Sequence, residues 1–324
     1  MAKSLLLISD RPDDNLFAGE VAKAAGLSLL TAKNSVLGAE IIGNEGVPVV
    51  LVDASTEKHY QSFEMAVQDT IGLFSDKISG TAIHFISSED LERVPYVIQS
   101  PLFGNFITRS YGNPADAGAH YGRLVTAMSS KRAFGLKQLL DPTAKIQIVK
   151  LQKSTQKQDA VEAVRTFLIA AKFQTRMASV IANAVDEVLM NSIFDAPIDD
   201  VGRPLYKLTN RNAEVRLDGK NAVEMHVGFD GKYVAISSID LFGSLDKANL
   251  LAHISKVYTH DEYKVKGTVA SAGIGLATVY RTGGSLFFVS ESRTRTEVTV
   301  FFKRSDNFRE FKEQFRFVAT QFYF

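Results

Sequence analysis

The chain contains no cysteine, which excludes disulfides, thiol nucleophiles and thiolate metal sites. It also lacks an excess of either charge. Lys and Arg number 37 against 36 Asp and Glu, a formal net charge of +1. No global field therefore draws it to nucleic acid or to an anionic membrane. Long apolar runs are missing too. The opening MAKSLLLISD is continuously apolar only over residues 5–8, too short for a signal peptide or a membrane span. The expected location is the cytosol. What is present, 324 residues with 45% hydrophobic and 23% charged, suits a globular protein with two cores.

Residues 4–9, 47–53, 81–87 and 94–98 are near-continuous apolar runs that read as buried strands. Segments 15–25 and 33–42 between them have helical patterns. This alternation predicts an α/β doubly wound parallel sheet with helices on both faces. Acids at the carboxyl ends of such strands face the ligand crevice, and Asp10 and Asp53 stand there. Pro142 interrupts the following helix-like stretch and marks a boundary.

Beyond it, 158–172 and 177–194 read as helices and 196–212 as a loop. Two Asp-Gly turns, at Asp218 and Asp230, suggest a three-stranded meander ending near Asp240. A helix over 244–257, a glycine-punctuated loop over 259–275, a short helix over 276–282 and strands over 286–291 and 297–303 complete an α+β sandwich. It has helices on one face of a mixed sheet. In the tail, Phe311, Phe315, Val318 and Phe322 recur at helical spacing. That predicts an amphipathic helix over 306–324, docked on its own domain or making a homodimer or partner contact. The expected organisation is therefore domain 1–127, linker 128–157, domain 158–305 and that terminal helix.

Four features of the second half carry chemistry. On the helix through residues 180–194, Asn183, Glu187 and Asn191 share one face at i, i+4, i+8. An Asn oxygen beside a Glu suits a Mg²⁺ ligand next to a base that orients an attacking hydroxyl; a plain solvated face gives the same spacing. Asp240 ends an apolar strand, with Gly243 three residues on. Its carboxylate can accept a hydrogen bond from an exocyclic amine, or simply close a turn. Residues 270–276, ASAGIGL, form a glycine-rich turn into a helix, where backbone N–H groups approach phosphate oxygens. Thr296 opens the last strand and offers a hydroxyl, or only β-propensity.

Taken in order, these elements resemble the GHKL (Bergerat-type) ATPase family, which includes histidine kinases and anti-sigma-factor kinases, over about 150 residues. Residues 186–192, DEVLMNS, are similar to its N-box, Asp240 to Gly243 to its first glycine box, and residues 271–276 with Thr296 to its second. The resemblance implies ATP and Mg²⁺ as cofactors, Glu187 as general base, Asn191 as Mg²⁺ ligand and Asp240 as adenine anchor. It implies that Gly243, Gly273 and Gly275 shape the pocket and its lid over 259–272. One departure is plain. The family's Asp-x-Gly-x-Gly reads Asp-Leu-Phe-Gly-Ser here, which alters the pocket floor.

Residues 5–101 resemble a response-regulator receiver domain, with Asp53 at the phospho-acceptor position and Asp10 as the surviving member of an acidic pair. Ser9 replaces the other acid, Ser87 or Ser88 offers the switch hydroxyl, and Ser100 precedes Pro101 where the family has Lys-Pro. A receiver without that lysine points to an interaction module that is not phosphorylated. Among the histidines, His84 and His226 read as strand residues, and His120 lacks the neighbours of a phospho-accepting histidine. The expectation is an ATP-dependent Ser/Thr kinase of the anti-sigma, partner-switching type controlled by the receiver-like domain. Its partner would be a regulatory protein such as a sigma factor or an anti-anti-sigma-like protein. A non-catalytic ATP-gated interaction module and a histidine kinase are the rival readings. Neither nucleic acid nor membrane is expected as a partner.

Overall fold

The computed structural model describes residues 3–71, 80–130, 133–248, 250–251 and 272–323. The chain forms two compact units. The first is Met1–Ala133 with Phe315–Thr320, and the second is Phe134–Gln314 with Gln321–Phe324. The expected linker 128–157 is thus divided between them.

The first unit alternates β1 (Ser4–Ile8), α1 (Pro12–Ala25), β2 (Ser28–Ala32), α2 (Ser35–Glu45), β3 (Val49–Asp53), α3 (Glu57–Ile71), β4 (Ile83–Ser87), α4 (Pro95–Ile98), β5 (Asn105–Thr108) and α5 (Pro114–Ser129). Its strands run parallel in the order β2-β1-β3-β4-β5. β3 and β4 are buried at every position, as a parallel sheet covered on both faces requires. Each buried Leu, Val or Phe contributes about 1.5–3 kcal/mol relative to exposure. Helix ends follow local chemistry. Pro12 and Pro114 sit in first turns, and Asn34 and Asn113 cap α2 and α5 through their side chains.

Two expectations fail here. Residues 94–98 form α4 rather than a strand, because Pro95 occupies its first turn and has no N–H to give a sheet. The fifth strand is β5, only four residues long. β2 also escaped the reading, since its positions are mostly half-exposed and break the apolar run.

The second unit is built from β6 (Lys145–Leu151), α6 (Lys157–Ala170), α7 (Thr175–Met190), β7 (Val223–Phe229), β8 (Tyr233–Asp240), α8 (Ala272–Arg281), β9 (Ser285–Glu291), β10 (Arg295–Lys303) and α9 (Phe308–Lys312). The sheet order is β9-β10-β8-β7-β6. Every pairing within it is antiparallel, not mixed. Asp230-Gly231 turns the β7–β8 hairpin, with Gly231 at φ 94°. Asp218-Gly219 instead opens a 3₁₀ turn, Gly219–Asn221. The meander's third strand is β6, supplied by the supposed linker. Residue 249 and residues 252–271, which take in half of the expected helix 244–257 and most of the lid, lie outside the described residues.

The tail is not one helix. It gives the short α9 and then a strand, β11 (Phe317–Tyr323). β11 pairs antiparallel with β5, Phe317 opposite Ile107 and Val318 opposite Phe106. The helical spacing misled because its phenylalanines divide between two elements. Phe311 packs against Phe302, and Phe315 packs with Phe17 and Tyr111. Thr320 completes the docking: its N–H donates to Asn105 Oδ1 and its hydroxyl to the Gly104 carbonyl.

Among the described residues one helical stretch, Thr175–Asp195, is long and apolar enough to cross a membrane. It is the core helix of the second unit, with Met177, Ile181, Val185 and Val188 fully buried.

Candidate functional site

In the second unit α7 lies against β8 and β10. Its stripe Ile181, Val185, Val188 and Ser192 is buried, whereas Asn183 is exposed and Glu187 and Asn191 are half-buried. The helix passes into a π turn at Asn191–Asp195, a local irregularity often found at functional positions. Ser238 Oγ donates to Ser192 Oγ at 2.8 Å and fastens this end of the helix to β8. Two residues further along the same face of β8 is Asp240.

Asp240 is only 3% exposed. Its Oδ1 accepts from the Phe242 N–H at 2.9 Å, and among the described residues no cationic side chain pairs with it. Burial pushes its carboxyl up to about 7, against the lowering effect of the Phe242 and Gly243 backbone N–H groups. Thr296 sits directly opposite on β10 and is also buried. The two are register partners on the helix-facing side of the sheet. Gly243 has φ 56°, and a Cβ there would fall 2.1 Å from the Glu291 carbonyl oxygen. Only glycine fits this turn against the β9–β10 loop.

Glu187 meets α8. A Cβ on Gly275 would lie 1.9 Å from Glu187 Oε2, so the missing side chain is what lets the carboxylate sit there. Burial, followed by the neighbouring charge of Asp186, raises the Glu187 carboxyl, with Lys157 and Arg211 opposing. Lys157, itself buried, is held by Asp186. Gly273 lies in the first turn of α8. The structure therefore brings Asp240, Gly243 and Thr296 together at the strand ends and places Glu187 and Asn191 at the end of α7, with Gly275 of α8 against Glu187. Among the described residues no group of three or more His, Asp or Glu side chains is arranged to hold a metal. An Mg²⁺ held mainly by phosphates and one amide oxygen does not need such a group.

The first unit holds a second acidic site at the sheet's switch point, where the strand order reverses between β1 and β3. Asp10 is exposed and takes no part. Its place as Asp53's companion is taken by Asp14, fully buried in the first turn of α1. Between the two carboxylates lies Arg109, the residue immediately after β5. Its Nε and Nη2 donate to Asp14 at 2.8 and 2.9 Å, and Nη2 also donates to Asp53 at 2.6 Å. Its Nη1 donates to Ser55 and Ser88. All five guanidinium N–H donors are committed. Ser9 and Tyr111 hydroxyls complete the shell of Asp14, each at 2.7 Å. Burial acts to raise the Asp53 carboxyl, but the Ser55 and Arg109 hydrogen bonds and Arg109's charge hold it below the ordinary value.

Ser100 does not stand at the basic position. It is buried after α4, where its Oγ accepts from the Leu102 N–H. The expectation erred because placing the fifth strand at 94–98 hid the real strand end and the arginine that follows it. Asp14 carried no signal of its own beyond Pro12-Asp13-Asp14 opening a helix. His84 is fully buried beside the Tyr121 hydroxyl, and burial holds it at about 3. His120 is buried in α5 with its ring against Phe317.

The chain matches no known protein-family profile and no curated protein sequence.

Proposed function

We propose that the second unit binds Mg²⁺-ATP and that the protein is a cytosolic signalling kinase of the partner-switching type, transferring phosphate to a Ser or Thr of a regulatory protein. The observation that carries this is Asp240. A buried carboxylate with no cationic partner among the described residues, beside a turn that only glycine accommodates, is an acceptor waiting for N–H donors. The adenine amino group is such a donor and guanine's carbonyl at the same position is not.

On this reading Asp240 anchors adenine, Thr296 reaches a phosphate, Asn191 ligates Mg²⁺, and Gly243, Gly273 and Gly275 shape the pocket. ATP supplies the phosphoryl group and Mg²⁺ neutralises charge as it transfers. Glu187, whose carboxyl is raised by burial, takes the proton of the incoming hydroxyl. A sigma factor or an anti-anti-sigma-like protein fits the role of partner. The first unit then serves as a receiver-like module that is not phosphorylated, because Arg109 already fills the space between its acids. A histidine kinase reading is weakened by the burial of His120.

Calorimetry with ATP and GTP is the test. Wild type should bind Mg²⁺-ATP in preference to GTP, and Asp240→Ala should lose about 1–3 kcal/mol for ATP alone. Equal ATP affinity in both proteins would sink the assignment. Labelled phosphate transferred to a partner should survive acid; acid-labile label on the isolated chain would restore the histidine kinase.

A further inference from the structure

The face of the second sheet opposite Asp240 carries its own polar row. Glu224, Ile239 and Glu297 are register partners across β7, β8 and β10, and so share a face that alternates away from Asp240 and Thr296. The segment that follows the first unit covers this face. Leu136, Leu139 and Leu140 are buried in it, and the Gly135 N–H donates to Glu297 Oε2 at 2.7 Å. Between them is a pocket of about 320 Å³ lined by Phe134, Gly135, Ile239, Leu241, Arg295 and Glu297 among others.

Glu297 is the unusual member. It is 1% exposed; its Oε1 has no hydrogen-bond partner of good geometry among the described residues, with the Ser237 hydroxyl as the polar group nearest to the carboxyl besides Gly135. The adjacent hydroxyl, Ser237 Oγ, lies 2.9 Å from Thr299 Oγ1. The neighbouring cations Arg295 and His226 act on Glu297 by charge, and Arg295 Nε itself makes no hydrogen bond among the described residues. Glu224 is held by Lys150 at 2.8 Å and by His226 at 3.2 Å. Arg295 lies over the Phe134 ring, 3.7 Å from its centroid, with Nε 3.3 Å from Glu291. A buried carboxylate oxygen without a donor is costly to maintain unless something supplies one.

We propose that this pocket binds a primary alkylammonium group, with Glu297 Oε1 accepting from the ammonium and Ile239, Leu241 and Ala222 flanking the alkyl stem. A compact three-donor cation on an aliphatic stem matches one free acceptor above apolar walls. A planar guanidinium needs a bidentate partner, and Oε2 is taken by Gly135. The same chemistry is presented by a small free amine and by the lysine side chain of a partner protein.

Full-length ¹⁵N-labelled protein titrated with n-butylammonium chloride, at constant ionic strength, tests this through the Gly135 amide resonance. A saturating shift is expected, with none from n-butanol. Glu297→Gln should weaken it about tenfold or more, while keeping the Gly135 hydrogen bond and the shape of the side chain. Arg295→Ala, which removes the competing cation at the rim, should strengthen it severalfold. A lysine-containing peptide binding about tenfold more tightly than butylammonium assigns the site to a protein partner. Equal affinity assigns it to a free amine. A shift that does not saturate, or that n-butanol reproduces, overturns the proposal without bearing on the ATP site on the other face.

Discussion

Asp53 and Asp240 each end a strand, and each is less than a tenth exposed, yet their surroundings differ. Asp53 shares Arg109 with Asp14 and receives Ser55's backbone and side chain besides. Asp240 receives backbone N–H groups and no cation among the described residues. The consequences run in opposite directions: the Asp53 carboxyl is held low and Asp240 is pushed up. A carboxylate whose charge is neutralised within the fold is part of the structure. One that burial leaves uncompensated is available to a ligand, and holding it there costs the ligand-free protein stability.

The most severe way to break this comparison is to remove the guanidinium. Arg109→Ala leaves Asp14 buried with no counter-charge and Asp53 with only the half-exposed Arg11 and His59, 3.7 and 3.3 Å away, and the first unit should lose about 3–5 kcal/mol in denaturant unfolding. Arg109→Lys should recover part of this, since one ammonium cannot span both acids with five directed donors. Wild type should remain unmodified by acetyl phosphate or beryllofluoride. Stoichiometric modification of Asp53 in wild type would mean that Arg109 yields the site to phosphate, and the contrast with Asp240 would collapse.

A smaller effect is expected at the reacting end of the second site. Glu187→Gln preserves the contact with Gly275 but removes the proposed base. Phosphoryl transfer should fall on the order of 10²-fold, about 2.7 kcal/mol of barrier, with nucleotide affinity little changed. Unaltered turnover would make Glu187 a packing residue of α7, and the second unit an ATP-gated interaction module in which nucleotide alters a partner surface without transfer.

The two sites were also unequally legible in the sequence. Asp240, Glu187 and Asn191 are candidates by the local pattern of their segments and their order along the chain, and their role in a site is a proposal. Long apolar runs likewise marked β1, β3 and β4. The Arg109 network could not be read this way. Its members are 95 residues apart in the case of Arg109 and Asp14, and they meet only because β5 is placed beside β4. That strand, NFIT, is short and begins with a buried Asn105 that looks polar in sequence. Asn105 is buried because its side-chain amide donates to the Thr81 and Ile83 carbonyls and its oxygen accepts from Thr320. Those partners lie on other segments, one of them near the end of the chain. The terminal strand was missed for the same reason: its pairing with β5 is invisible to a local period.

The gentlest probe of the contrast is pH. Asp240 has an ordinary value of 3.8 and a folded value of about 7. The folded state thus holds a proton that the unfolded chain has released. Its favourable contribution is full below about pH 3.8 and is lost as pH rises to about 7. Glu187 and Glu297 are raised as well and act in the same direction, whereas Asp53 is lowered and gains stability with rising pH. Asp240→Asn removes this raised carboxyl. Across that window, the fall in unfolding free energy should therefore be about 1–3 kcal/mol shallower in the variant. At pH 8 the ligand-free variant should be the more stable protein. ATP should reverse the order, because the adenine amine favours the ionised carboxylate and the asparagine offers only a weaker neutral acceptor. Chemical denaturation at several pH values, with and without Mg²⁺-ATP, decides it. Parallel curves for wild type and variant would show that Asp240 titrates normally in the folded protein, and that the second site is closed after all.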